Sequence, residues 1–470
     1  MDRYESPFSS RYASDFMLEL FSADTRYRTW RKLWISLAKA ESKLGLPITE
    51  EQIIDLEEHK DDIDYELVKA REKEVRHDVM AHVYAYGKEA PSAAGIIHLG
   101  ATSCYVTDNA DLVIFRDALE YIRKELLEVI SNLADFALQY KAVSTLGYTH
   151  YQPAQPVTVG KRATLWIQDL VSDLGEVDFA LSNIRFLGSR GTTGTEASFM
   201  DLFEGDTAKI DEMNRMIAED FGFKDIFPVS GQTYPRKTDV RILNCLSSIA
   251  QSLYRMANDI RLLSHDRQLE EPFEKNQIGS SAMAYKRNPM RCERICSLSR
   301  YLMTDAMNGV MTASSQWLER TLDDSANRRV SLPEGFLCCD AILRLAKNVT
   351  NGLRVNEKVI NKALMENLPF IATENIIMEA VKRGGDRQAA HEIIRRCSME
   401  ATAVMKDGGE CDLIDRLLKE PELGLDREAI DSLLDPALYM GRCPEQVEKY
   451  IESIRPLLKN TVSGSEDINI

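Results

Sequence analysis

Apolar residues recur every three or four positions along five long segments of the chain, which is the spacing of one helix face. The five stripes begin at Leu112, Val159, Ile242, Ile295 and Leu332. Each stripe is longer than the roughly 11–12 residues of an average helix. Long helices bury such stripes by packing lengthwise, so the pattern predicts a five-helix bundle over residues 105–355. The stripes also predict further bundling between chains, because one copy rarely covers faces this long.

The flanking regions have a different pattern. Residues 1–104 mix shorter helical segments with loops, and residues 356–470 hold short helices broken by proline and glycine, as at Gly384-Gly385. No strand-like alternation of any length is present. We therefore predict an all-α protein with three domains: an N-terminal helical domain, the central bundle and a small C-terminal helical domain.

The composition argues against several classes of binding partner. The 470 residues carry a net charge of −16, which argues against broad binding to nucleic acids or anionic membranes. No segment is long and apolar enough to span a bilayer. The nine cysteines show no CxxC spacing, which favours reduced thiols and a cytoplasmic location. Histidines and carboxylates show no metal-ligand spacing, so we expect no metal and no cofactor.

A polar stretch, Gly279 to Met290, separates the third and fourth stripes. Its small and hydroxyl residues let the backbone bend, and Ser280, Lys286 and Asn288 lie within one loop's reach of each other. Such runs are often plain surface linkers. Because this one connects two long helices, we interpret it as a binding loop.

Two histidines are candidates for acid–base chemistry. His150 lies in a proline-containing connection between the first two bundle helices, which we expect to be stiff and extended. Imidazole titrates near neutral pH, which suits a general acid, although an isolated turn histidine is the commoner case. His77 precedes Asp78, which could fix the imidazole tautomer or simply cap a helix.

Further polar clusters lie at predicted helix ends. Thr102 and Ser103 precede the first bundle helix and suit either an anion site or a plain N-cap. Residues 320–329 hold arginines around Ser325, a combination that suits a phosphate, although a solvated charged turn is commoner. Because antiparallel helices bring alternate ends together, we predict that these clusters share one pocket with Ser280, Lys286 and His150.

Several of these motifs, taken together, resemble the motifs of a known protein superfamily. The run Gly279–Pro289 resembles the signature of the fumarase/aspartase superfamily. Arg76–Val79, Thr102-Ser103, Thr149–Gln155 and Arg320–Arg329 resemble its animal-type branch that acts on succinylated purine nucleotides. The resemblance covers nearly the whole chain. It departs at Ala284, where the family usually has proline, and this restores a free backbone rotation in the loop.

The resemblance implies an activity and an assembly. The activity is a β-elimination that releases fumarate from two succinyl-amino nucleotides, in a homotetramer whose active sites are each built from three protomers. The partners are then small nucleotides and further copies of the chain. Argininosuccinate lyase is the alternative enzyme, and a structural protein without turnover is an alternative of another class.

The resemblance also assigns roles to residues. Ser280 would be the base and His150 the acid that protonates the leaving nitrogen, with His77 and Lys286 also in the catalytic set. Cations and amides must stabilise the doubly negative aci-carboxylate, which suits Lys286 and Asn288. The phosphate would be held by Arg11, Tyr12, Arg320, Ser325 and Arg329. The residues positioning the substrate would be Arg76, His77, Asp78, Thr102, Ser103, Thr149, Gln232, Lys286, Asn288 and Arg294.

Overall fold

The computed structural model describes residues 2–274, 277–278, 280–461 and 463–464, so Gly279 of the signature run lies outside the described residues. The described chain is mainly helical, which confirms the all-α prediction. Its first part holds α1 (Asp15–Leu20), α2 (Ala23–Lys43), α3 (Glu50–Glu58), α4 (Tyr65–Val75) and α5 (Asp78–Glu89). Hydroxyl caps start several of these helices; the Ser22 side chain accepts a hydrogen bond from the Thr25 N–H at 3.1 Å.

The predicted bundle is present. It consists of α6 (Ser103–Gln139), α7 (Val159–Asn183), α10 (Lys237–His265), α11 (Met290–Ser314) and α12 (Asp323–Gly352), with α8 (Ala197–Leu202) and α9 (Thr207–Asp220) inserted before α10. The stripe of α12 is buried from Leu332 to Leu353, and that of α6 from Leu112 to Phe136. Burial of these stripes is what holds the long helices side by side.

The C-terminal part is built from shorter helices. They are α13 (Glu357–Ile371), α14 (Thr373–Lys382), α15 (Arg387–Lys406), α16 (Leu413–Leu417), α17 (Arg427–Ser432) and α18 (Cys443–Ile454). Residues between Ala372 and Ile430 form a core of their own, whereas α18 packs back on the bundle through Val447 and Ile451. The domain boundaries at 104/105 and 355/356 stay predictions. Among the described residues, no helix has the length and apolarity needed to cross a membrane.

The connection between α6 and α7 corrects the sequence analysis. It is a β-hairpin of β1 (Ser144–Thr149) and β2 (Gln152–Thr158), whose two halves are extended as expected but pair with each other, so the expectation of no strands is wrong. A second short pair joins β3 (Leu269–Glu270) to β4 (Arg354–Val355). The prolines of β2 argued against a strand, but a two-stranded ribbon has outward edges where a missing N–H costs little.

One end of the bundle gathers the start of α6, the end of α7, the start of α10 and the α11–α12 connection. The side-chain oxygen of Asn109 in α6 accepts the N–H of Leu187, just after α7, at 2.9 Å. The Gln232 N–H, just before α10, donates to the Glu319 carbonyl at 3.0 Å. We call this the cavity end.

The opposite end gathers the β1–β2 hairpin, the end of α10 and the start of α11. The Gln268 side chain, after α10, donates to the Tyr148 hydroxyl of β1 at 3.3 Å. The Glu271 carboxylate accepts the Arg291 N–H at the start of α11 at 3.0 Å. We call this the hairpin end. The 25 residues of α11 separate the two ends by about 37 Å at the 1.5 Å rise of a helix.

The buried carboxyl group of Glu41 leads to a prediction about how stability depends on pH. It is completely buried in α2, and neither carboxyl oxygen has a hydrogen-bond partner among the described residues. Burial raises the pKa of Glu41 to about 9. The native state therefore keeps a proton that the unfolded chain loses, and stability falls as pH rises from about 4.5 to 9. At pH 7 this costs roughly 3 kcal/mol.

Glu41→Gln is therefore expected to raise the free energy of unfolding at pH 8 and to change it little at pH 5. Denaturant unfolding at equal protein concentration measures both values. The exposed residue Glu51, changed to Gln, is the matched control and should show no pH-dependent gain. An equal effect of Glu41→Gln at both pH values would contradict a buried, protonated carboxyl group.

Candidate active site

A cavity of about 770 Å³ opens at the cavity end of the bundle. Its wall combines imidazole, hydroxyl, amide and guanidinium groups with carboxylates. It contains eight of the residues singled out from the sequence: Arg76, His77, Asp78, Ser103, Gln232, Arg320, Ser325 and Arg329. These residues come from the junction of α4 and α5, from α6 and α12, and from the segments before α10 and α12, so the helix ends bring them together.

His77 is held by the start of α5. It occupies the N-cap position, and its Nδ1 accepts the N–H of Met80 at 3.3 Å. Since Nδ1 is an acceptor there, a neutral His77 carries its proton on Nε2, which lies 3.4 Å from the Ser103 hydroxyl. The idea that Asp78 fixes the tautomer or caps the helix is wrong, because Asp78 Oδ1 lies 3.8 Å from Nδ1 and His77 itself is the cap.

The two hydroxyl residues at the start of α6, Thr102 and Ser103, do not cap the helix with their side chains. Thr102 occupies the N-cap position of α6 but its side chain makes no capping hydrogen bond. The plain N-cap alternative is therefore wrong for Thr102. The neighbouring Ser103 hydroxyl faces His77, so this helix start contributes to the cavity wall.

Gln232 is fixed at the rim of the cavity. Its Nε2 donates to the Thr192 carbonyl at 3.2 Å, and its Oε1 lies 3.5 Å from the Cys104 thiol. Burial is the main cause that raises the pKa of Cys104, to about 12, so this thiol is protonated and inert at neutral pH. The amide orientation of Gln232 follows from these two partners.

Two arginines of the cavity are tied to carboxylates. Arg329 donates to Asp78 at 3.1 Å, across from α5, and Arg320 donates to Asp324 at 2.8 Å within the α12 start. Burial alone would raise the pKa of Asp324, but the charges of Arg236 and Arg320 hold it below its usual value. Asp324 is therefore a fixed anion that orients Arg320.

A buried ionic network supports the cavity floor, and sequence reasoning missed it. Arg236 bonds to Asp108 at 2.9 Å and to Asp324 at 2.7 Å, and all three side chains are almost completely buried. Arg328 bonds to Asp239 at 2.6 Å in the same region. One feature of the sequence could have revealed this network. Its charged residues fall on or beside apolar helix faces, where an unpaired charge would be costly.

The remaining predicted residues lie at the hairpin end. Thr149 ends β1, and His150 with Tyr151 forms the tip of the hairpin, with positive φ values of 51° and 58°. Both Thr149 and His150 are exposed. A turn of two residues with positive φ fits the twist of a hairpin, so the tip presents His150 to its surroundings.

The described part of the signature run also lies at this end. The Ser280 hydroxyl oxygen accepts the N–H groups of Ala282 at 3.4 Å and Met283 at 3.2 Å. Lys286 is exposed, and its N–H closes a turn to the Met283 carbonyl at 3.0 Å. Asn288 follows, two residues before α11 begins.

Arg11, Tyr12 and Arg294 form a third group. Arg11 lies 6.0 Å from the Tyr12 ring centroid. The Tyr12 carbonyl accepts a hydrogen bond from Arg344, near the end of α12, at 2.8 Å. Burial lowers the pKa of Arg294; Tyr12 opposes that shift and Arg11 adds to it, so the three side chains lie within electrostatic reach of each other. Arg294 belongs to the start of α11, which places the group toward the hairpin end.

Within one chain, the prediction that all of these clusters share one pocket is therefore wrong. Antiparallel packing does join alternate helix ends, but it sorts them into two sets. Ser103, His77 and Arg329 belong to the cavity end, whereas Ser280 and His150 belong to the hairpin end, about one helix length away.

Comparison with known proteins identifies the class. The helical fold matches the crystal structure of 3-carboxy-cis,cis-muconate lactonizing enzyme from Pseudomonas putida, with a TM-score of 0.84 and 23% identity, over 96% of this chain and 99% of that chain. A family model described as "Lyase" matches residues 2–303. The protein is a lyase with the fumarase/aspartase fold.

A second family model and two similar proteins identify the family within this class. A model described as "Adenylosuccinate lyase C-terminus" matches residues 369–450. Adenylosuccinate lyase of Saccharomyces cerevisiae is 52% identical over 96% of this chain and 94% of its own length, and that of Schizosaccharomyces pombe is 52% identical over 95% and 94%. The chain belongs to the adenylosuccinate lyase family, in its eukaryotic form.

Proposed function

We propose that the protein cleaves adenylosuccinate to AMP and fumarate, and succinylaminoimidazole-carboxamide ribotide to the free carboxamide ribotide and fumarate. The observation that carries this proposal is the cavity, whose wall sets Arg320, Ser325 and Arg329 beside His77 and Ser103. Guanidinium groups and a hydroxyl suit a nucleotide phosphate, and the family supplies the substrate class.

The proposed reaction is a β-elimination. Ser280 removes the proton from the carbon next to a carboxylate, and the electron pair forms the aci-carboxylate and then the C=C bond of fumarate. The C–N bond breaks, and His150 gives a proton to the leaving nitrogen. The two N–H groups that donate to the Ser280 oxygen support this role, because such donors stabilise an alkoxide.

Other groups of the signature run would stabilise the intermediate. The aci-carboxylate carries two negative charges, so a lysine and an amide near it lower the barrier. Lys286 and Asn288 provide these groups within six and eight residues of Ser280. Thr149 and Gln232 would position the substrate, the first beside His150 and the second at the cavity rim.

We further propose that the active enzyme is a homotetramer with shared active sites, in the cytoplasm. The two residue sets lie at opposite bundle ends, so a complete site needs the hairpin end of another copy. Large apolar side chains on the outer faces of α7, α11 and α12 support such contacts, among them Phe179, Met307, Met311 and Val330, which are exposed in the single chain.

The test is fumarate production from adenylosuccinate beside argininosuccinate, which has no phosphate. We expect turnover of the first substrate alone. Arg329→Ala should raise KM for adenylosuccinate about tenfold or more, since a charged hydrogen bond contributes roughly 1.5–3 kcal/mol. Steady-state kinetics measure the effect.

Arg427→Ala is the matched control. Arg427 is exposed to a similar degree, 62% against 59%, but lies in α17 outside the cavity, so its loss should leave KM unchanged. Turnover of argininosuccinate with no effect of Arg329→Ala would favour the alternative enzyme. No fumarate from either substrate would revive a structural role.

A further inference from the structure

The cavity wall contains six arginines that differ in their partners. Four are in ion pairs: Arg236 with Asp108 and Asp324, Arg328 with Asp111 and Asp239, Arg320 with Asp324, and Arg329 with Asp78. The other two are Arg76 and Arg26. Neither of them makes an ion pair within the described ranges of the chain. Arg76 was already assigned to the substrate from its motif, whereas nothing in the sequence singled out Arg26.

This difference decides which charges are available to an anion. The cavity wall also carries Glu72, Asp78, Asp108, Asp111 and Asp324. A nucleotide phosphate brings nearly two more negative charges at neutral pH. Arginines already paired with carboxylates attract the phosphate less strongly than they would alone, so uncompensated guanidinium groups add to the binding.

Arg26 also shares neighbours with the ion-paired arginines of the cavity wall. It belongs to the first turns of α2. Burial raises the pKa of Asp111, and the charges of Arg328 and Arg26 oppose that rise. Burial likewise raises the pKa of Tyr27, and both Arg26 and Arg329 oppose it. Arg26 and Arg329, the arginine proposed to hold the phosphate, therefore both act on Tyr27, and both line the same cavity.

We propose that Arg26 is a further phosphate-binding residue of the active site, acting beside Arg329 on the 5′-phosphate of the substrate. The inference rests on the proposed nucleotide lyase function. If so, Arg26 sets the affinity for the phosphorylated substrate. It does not affect the elimination step, because the proton transfers involve other groups.

The experiment compares Arg26→Gln with the wild type, using adenylosuccinate as substrate and AMP, adenosine and fumarate as inhibitors. KM and the inhibition constant of AMP should each rise about tenfold or more, the usual effect of losing a charged hydrogen bond. The inhibition constants of adenosine and fumarate, and kcat, should stay within about threefold. Arg26→Lys should recover part of the AMP affinity.

Arg28→Gln is the matched control. Arg28 lies two residues further along α2, is exposed, and pairs with Asp61 at 3.6 Å outside the cavity. Its loss should change none of these constants. An unchanged AMP constant in Arg26→Gln overturns the proposal, and so does an equal loss for AMP and adenosine, or a loss confined to fumarate.

Two further outcomes distinguish a failure of the Arg26 proposal from a failure of the proposed function. If Arg26→Gln does not fold, judged by its thermal midpoint, Arg26→Lys and Arg26→Met carry the same comparison. If the wild type releases no fumarate, the proposed function fails, and calorimetric titration with AMP still decides the role of Arg26: weaker binding by the variant supports it, and equal binding overturns it.

Discussion

Coexpression of Ser280→Ala chains with His77→Ala chains is expected to restore about a quarter of the wild-type fumarate release, the share of sites with both native contributions after random mixing. Each variant alone should lose about 10²- to 10⁴-fold in kcat, the range for a positioned proton-transfer group. Two differently tagged chains, purified through both tags, provide the mixed oligomers for steady-state kinetics.

The reason is the separation of the two residues within a chain. Ser280 lies at the hairpin end, before α11, and His77 lies in the cavity at the other end. About 37 Å of helix lies between them, so one chain cannot bring both to one substrate. In mixed oligomers, some sites receive a native signature loop from one copy and a native His77 from another.

The matched control mixes Ser280→Ala with Lys286→Ala. Both residues lie in the same loop, which always comes from a single chain, so no mixed site has a complete loop and activity should stay at background. Recovery in this control, or no recovery in the Ser280 and His77 mixture, would contradict sites shared between copies. Circular dichroism of each variant shows whether the helical fold is intact.

The long helices were predictable because their pattern repeats many times. In α12, apolar residues at helical spacing run from Leu332 to Leu353, and the structure buries them all. Repetition of this kind leaves one packing solution, the lengthwise bundle. The short hairpin was not predictable, because Pro153 and Pro156 oppose a strand and its tip, His150-Tyr151, has no glycine or asparagine to mark the turn.

The residues of the candidate site were predictable as motifs, but their grouping was not. Local sequence shows that Ser103, His150 and Ser280 lie at helix ends; it does not show which ends meet. That depends on the direction of each helix, which tertiary packing decides. The pairing of Arg236 with Asp108 and Asp324 is equally invisible locally, because the partners are 128 and 88 residues away.

Arg236→Met should be among the most destabilising substitutions in the molecule, by about 3–5 kcal/mol, because it leaves the buried Asp108 without its cationic partner and Asp324 with Arg320 alone. Arg236, Asp108 and Asp324 are each at most 3% exposed. Removing the guanidinium group leaves both carboxylates buried, and it removes the cationic partner of Asp108 and one of the two cationic partners of Asp324. Denaturant unfolding at equal protein concentration measures the loss.

Arg255→Met is the matched control in α10, the helix for which Arg236 is the N-cap residue. Arg255 pairs with Asp169 but is 50% exposed, and exposed pairs contribute only about 0–1 kcal/mol. A similar loss in both variants would contradict the buried network. Adding Asp108→Asn and Asp324→Asn to Arg236→Met should recover part of the stability, since the buried charges are then gone. It should not recover AMP affinity, because Asp324 also orients Arg320 in the cavity. Stability and binding would thus separate, as expected if the network both compensates buried charge and positions the phosphate site.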